Sequence, residues 1–134
     1  MVKLIDYGFS VVVANQQRLK VFCGTPSYMS PEIVRKHEYD GKPVDMWALG
    51  VLLYVMLTGT FPFRGVSEHD LYQKIQRGQF KQNHDTLCRE AKRVISRLLD
   101  TDYRRRMTAE ELVNDPYIKC EDVRLTVFER AGQI

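Results

Sequence analysis

Cys23-Gly24-Thr25-Pro26-Ser27-Tyr28-Met29-Ser30-Pro31-Glu32 packs one glycine, two prolines and several hydroxyl side chains into a single short stretch. Such a composition favours a shaped, non-repetitive backbone lined with hydrogen-bonding groups. Upstream, Val2 to Ile5 is a short apolar segment, broken by Lys3, that reads as a strand. Asp6-Tyr7-Gly8 turns it, and the β-branched residues of Phe9 to Ala14 favour a second short strand. Asn15 to Lys20 reads as a polar loop.

Downstream the pattern becomes helical. Pro31 to Arg35 predicts a short helix with proline at its start, followed by a polar loop from His37 to Pro43. Val44 to Thr58 reads as a helix apolar on nearly every face, which marks a central helix covered by the rest of the domain. Gly59 suits its C-terminal cap. Ser67 caps a helix running to about Arg77, and Gly78 stops it. A further helix runs from about Thr86 to Leu99, with Leu87, Ala91, Val94, Ile95 and Leu98 on one face. Thr108-Ala109-Glu110-Glu111 forms a capping box that opens a last helix ending near Asp115. The fold class is therefore mainly α, helices around a central buried helix, with one or two short β-strands at the N-terminus.

The chain has 134 residues, one domain's worth, and its apolar fraction of 44% and charged fraction of 28% are those of a globular protein. A net charge of +3 is mild and points to neither nucleic acid nor a membrane surface. In Arg104-Arg105-Arg106, the acids Asp100 and Asp102 just upstream favour a solvated face over a polyanion site. Cys23, Cys88 and Cys120 are scattered and odd in number, the pattern of free thiols in a reducing compartment, cytoplasmic or also nuclear. His37, His69 and His84 are isolated, so no transition-metal site is expected.

Four motifs stand in a fixed order: Asp6-Tyr7-Gly8; Gly24-Thr25-Pro26-x-Tyr28-x-x-Pro31-Glu32; Asp45-Met46-Trp47-Ala48-Leu49-Gly50; and Asp102-x-x-x-Arg106-x-Thr108. Together they resemble the C-terminal lobe of eukaryotic Ser/Thr protein kinases, in particular the calmodulin-dependent and AMP-activated group. The resemblance runs from Val2 to about Ile118. It implies a partial kinase domain over residues 1–119 and a tail over 120–134.

The resemblance implies the following roles. Asp6, in a motif completed by Gly8, is the carboxylate that holds Mg²⁺ against the ATP phosphates. Gly24, Thr25, Pro26 and Tyr28 form the docking platform for a protein substrate, and Thr25 supports the catalytic loop and argues for Ser or Thr acceptors. Glu32 and Arg106 form a structural ion pair, Asp45 binds the catalytic-loop backbone, and Trp47 and Gly50 belong to the core of the central helix.

Several residues depart from the family pattern. Val21 stands where an activating phosphothreonine is usual. Ser30 replaces an alanine, Tyr103 and Met107 replace prolines, and Tyr7 replaces a phenylalanine. Ser27 and Val55 occupy places where basophilic kinases carry glutamate. The 134 residues contain no Gly-rich loop, strand lysine or His-Arg-Asp catalytic loop. ATP and Mg²⁺ are thus expected to act in a complete kinase, without tight binding by this chain alone. The partners implied are a protein with a Ser/Thr acceptor and the missing N-terminal lobe, with no nucleic acid and no membrane. The alternative is a stand-alone, non-catalytic, pseudokinase-like binding module.

Overall fold

A computed structural model describes residues 3–14, 17–81 and 87–119. The expected tail over 120–134, and Thr86, His84 and Cys120, lie outside the described residues. Six helices follow one another: α1 (Pro31–Val34), α2 (Gly41–Thr58), α3 (Glu68–Arg77), α4 (Arg89–Leu98), α5 (Ala109–Asn114) and α6 (Pro116–Lys119). A 3₁₀ turn at Pro26–Tyr28 precedes them. The helical architecture matches the sequence reading. No described helix is long and apolar enough to cross a membrane.

The expected strands are a correction. Residues 3–14 carry no strand, and among the described residues the sole ladder pairing is an isolated antiparallel bridge between Leu19 and Tyr39. A β-branched segment becomes a strand only by pairing, and no neighbouring strand is present among the described residues. Leu4, Ile5, Phe9 and Val12 therefore lie exposed.

The central helix also begins earlier than its apolar run. Asp40 accepts a hydrogen bond from the Lys42 amide at 3.1 Å and caps a helix that already includes Gly41, Lys42 and Pro43. Pro43 is harmless there because amides of a first helical turn need no intrahelical acceptor. At the other end Gly59 adopts the left-handed conformation, φ 70°, and its amide bonds the Val55 carbonyl.

One face of α2 packs on α4, with Trp47, Val51 and Tyr54 buried against Val94, Ile95 and Leu98. The opposite face is less covered than its composition predicts. Leu49, Leu52 and Met56 are 40%, 43% and 58% exposed. The shorter helices follow their local signals. Ser67 accepts from the Asp70 amide at the start of α3, and Gly78 closes it at φ 64°. The reciprocal capping box of Thr108 and Glu111 opens α5. The Cys88 thiol accepts from the Ala91 amide and starts α4.

Gly50 sets how closely α2 and α4 approach. A Cβ there would lie 2.7 Å from the Leu98 Cβ and 3.0 Å from a Leu99 methyl. Alanine is the better helix former by about 1 kcal/mol. Overpacking of this kind costs about 1–3 kcal/mol. Gly50→Ala is thus expected to lower stability in urea unfolding, and a variant more stable than the parent would show that the two helices part freely.

Candidate functional site

The stretch that opened the sequence reading is held from both sides. Before it, the Leu19 amide donates to the Tyr39 carbonyl at 2.8 Å and the Tyr39 amide to the Leu19 carbonyl at 3.1 Å. Lys20 pairs with Glu38 at 2.8 Å, and the Tyr39 hydroxyl donates to the Val21 carbonyl at 2.6 Å. The Val21 side chain itself points to solvent. Gly24 follows at φ 135°, a conformation other residues rarely adopt.

Thr25 precedes the 3₁₀ turn, and its carbonyl accepts from the Tyr28 amide at 2.9 Å. Its hydroxyl has no hydrogen-bond partner among the described residues and stands exposed. Pro26 opens the turn, and Tyr28 meets Phe61 edge to face with centroids 5.5 Å apart. Gly24 and Thr25 are thus exposed, and Pro26 and Tyr28 half-buried, along one continuous stretch of chain.

Behind this surface, Arg106 is buried and binds Glu32 through two parallel bonds, Nη1 to Oε1 at 2.7 Å and Nη2 to Oε2 at 2.9 Å. The guanidinium also donates to the carbonyls of Asp100 (3.0 Å) and Pro43 (2.8 Å) and lies 5.1 Å from the Trp47 ring centroid. Trp47 in turn stacks on Phe63, with centroids 5.4 Å apart and planes 9° from parallel. One side chain thereby joins α1, α2 and the turn before α5. The neighbouring arginines behave differently: Arg104 pairs with Asp102 and Arg105 with Asp100 at the surface.

Two substitutions noted in the sequence have visible consequences. Met107 is buried, and its amide donates to the Arg97 carbonyl at 3.0 Å, a bond that proline could not make. Ser30 is fully buried with its hydroxyl unpartnered among the described residues, an arrangement that costs about 1–3 kcal/mol relative to a satisfied group.

Asp6 and Asp45 border the same cleft, about 560 Å³, with Phe9, Val21, Cys23 and Tyr39. Asp6 takes a left-handed backbone, φ 60°, and its Oδ1 accepts from the Gly8 amide at 3.3 Å. Oδ2 is open. A single carboxylate with free positions fits Mg²⁺, which usually keeps waters and takes one or two carboxylates plus phosphate oxygens. No group of three or more His, Cys, Asp or Glu side chains gathers among the described residues. Asp45 has no hydrogen-bond partner among them, and desolvation by the surrounding protein pushes its carboxyl above the ordinary carboxylate range.

The fold and this arrangement define a class. The family profile described as protein kinase domain matches residues 1–118, and the chain belongs to that family. Its relatives narrow the resemblance to Ser/Thr kinases of the calmodulin-dependent group. It is 43% identical over 117 residues to a probable serine/threonine-protein kinase MARK-A of Dictyostelium discoideum, covering 87% of this chain and 11% of that protein. It is 45% identical over 121 residues to the calcium/calmodulin-dependent protein kinase type II subunit delta of Oryctolagus cuniculus, covering 87% of this chain and 22% of that one. The chain thus spans a minor part of the length of these relatives.

Sequence reasoning missed the anchoring of Val21 by Tyr39 and the contact of Arg18 with Tyr103, whose ring centroid lies 5.7 Å from the guanidinium. Both join residues far apart in sequence, and no local pattern announces them.

Two outcomes follow. Removing one partner of a buried pair leaves the other uncompensated, so Glu32→Ala is expected to cost about 3–5 kcal/mol. An unchanged melting temperature would rule this out. Asp45 has a raised folded-state value, so its contribution to stability is present in acid and is lost as pH rises through that value. Asp45→Asn is therefore expected to raise the melting temperature at neutral pH, with the gain shrinking as the buffer is acidified. A gain that grows in acid would contradict this assignment.

Proposed function

We propose that this chain supplies the activation segment and substrate-docking half of a Ser/Thr protein kinase, which transfers the ATP γ-phosphoryl group to protein hydroxyls. The observation that carries the reading is the continuous Gly24–Tyr28 surface, braced from behind by Glu32 and Arg106 and adjoining a cleft bordered by Asp6. In this reading residues 1–119 are a partial kinase domain and residues 120–134 a tail. Gly24, Thr25, Pro26 and Tyr28 seat the acceptor segment, and the open Thr25 hydroxyl is left for a catalytic loop. Gly8 lets the chain turn so that its amide can orient the Asp6 carboxylate. Asp6 would hold Mg²⁺, and the ion would supply charge neutralisation at the phosphates of a bound nucleotide. Asp45 receives backbone amides of the same catalytic loop.

Nothing in the 134 residues supplies a Gly-rich loop, a phosphate-binding strand lysine or a catalytic base. Alone, the chain therefore neither retains ATP tightly nor transfers phosphate. The working partners are an N-terminal kinase lobe and a protein substrate, in the cytoplasm and, by diffusion, the nucleus. Nucleic acid and membrane are not among them. Val21 removes the usual phosphate switch, and the Tyr39 hydroxyl and the Leu19–Tyr39 bridge hold the segment without it. The same residue favours a second reading, a non-catalytic binding module of pseudokinase type.

A chimera separates the two. This chain replaces the matching stretch of the calcium/calmodulin-dependent relative, and phosphate transfer from labelled ATP is measured. Ser and Thr peptides are expected to be phosphorylated and Tyr peptides not, with activity lost in Asp6→Asn. A folded but inactive chimera would favour the binding module. Transfer by the purified 134-residue chain alone would overturn the predicted inactivity.

A further inference from the structure

Two hollows adjoin at the docking surface, sharing Phe61 and Arg64 in their lining. One, about 420 Å³, is bordered by Ser27, Phe61 and Arg64. The other, about 840 Å³, shares Phe61 and Arg64 and continues to Lys74, Phe80 and Lys81. Phe61 also packs against Tyr28, so the groove is continuous with the docking platform. Its described lining holds three cations and no acid.

The cations differ in availability. Lys74 is neutralised by Asp70 at 2.9 Å and donates to the Arg64 carbonyl at 2.8 Å, which fixes the backbone of Arg64. Arg64 and Lys81 are exposed and have no acidic partner among the described residues. The Tyr54 hydroxyl donates to the Lys81 carbonyl at 3.0 Å and holds that end in place. Phe80 is clamped edge-on between Tyr54 and Phe63, with centroids 6.0 and 5.6 Å away. The floor is thus built before anything binds, and docking incurs little ordering cost.

We propose that this groove receives an acidic, extended stretch of the substrate polypeptide, docked in continuity with the Ser27–Tyr28 surface. The proposal rests on the substrate-docking reading and adds a charge preference to it. Ser27 and Val55 are uncharged, so neither repels an acidic segment. Two cations without an acidic partner among the described residues are few for tracking a nucleic-acid backbone, whose affinity comes from many phosphate contacts. Phe61 and Phe80 are already engaged edge-on with aromatic neighbours, which also favours a peptide.

The test is direct binding by the 134-residue chain. A fluorescein-labelled Glu-rich peptide with a single serine is compared, by anisotropy, with the same peptide carrying Gln for Glu. At low salt the Glu peptide is expected to bind about tenfold tighter, with the preference fading as salt screens the charges. Arg64→Glu with Lys81→Glu is expected to abolish the preference, and the milder Arg64→Gln with Lys81→Gln to weaken it. Lys119→Glu, outside the groove, should leave it intact. Circular dichroism establishes that each variant is folded. Equal binding of the two peptides, or a preference untouched by the Arg64 and Lys81 changes, overturns the proposal. So does equally potent displacement by single-stranded RNA, which would mark a general polyanion surface. An active chimera without the preference counts against the groove alone, whereas a preference with an inactive chimera counts against the kinase reading alone.

Discussion

The Glu32–Arg106 pair is the constraint on which the remaining geometry depends. A buried guanidinium is tolerable only when its donors are satisfied, and here carboxylate, two carbonyls and an aromatic face surround it. Each partner comes from a different place: Glu32 from α1, Pro43 and Trp47 from α2, Asp100 from the turn after α4. Arginine suits the position because its planar fork meets both carboxylate oxygens while its face lies on a ring. A lysine could offer only a point charge. Meeting these demands together fixes where α1 stands, and with it the surface from Gly24 to Tyr28.

That surface is firm at its back and open at its front. Tyr28 leans on Phe61, and Val21 is tied by Tyr39, yet the Thr25 hydroxyl and the Asp6 Oδ2 have no hydrogen-bond partner among the described residues. Leu49, Leu52 and Met56 on one face of α2, and Leu4, Ile5 and Phe9 near the N-terminus, are exposed as well. Contiguous apolar exposure is the usual mark of a surface made to be covered.

Much of this was legible in the residues because it is local. Ser67, Gly78, Gly59 and the Thr108–Glu111 box act within one helical turn, so their signals could be read directly. Gly41 and Pro43 misled because both are breakers in isolation, while the Asp40 cap makes them a first turn. The N-terminal strands failed for the opposite reason: strand formation depends on a partner that sequence propensity does not supply. The all-round apolar character of α2 announced a central helix but not which face its own chain would leave uncovered. The Arg64–Lys81 groove was invisible because its lining comes from residues well separated in the sequence.

The ion pair also orders events in time. Glu32 and Arg106 are 74 positions apart in sequence. Contacts of such long span form late, since the intervening loop must close first. On a ribosome, the segment around Glu32 emerges well before its anchor has been synthesised. Until Arg106 follows, the nascent segment has a carboxylate without its cation, and the seating of α1 against Arg106 waits on residues made much later.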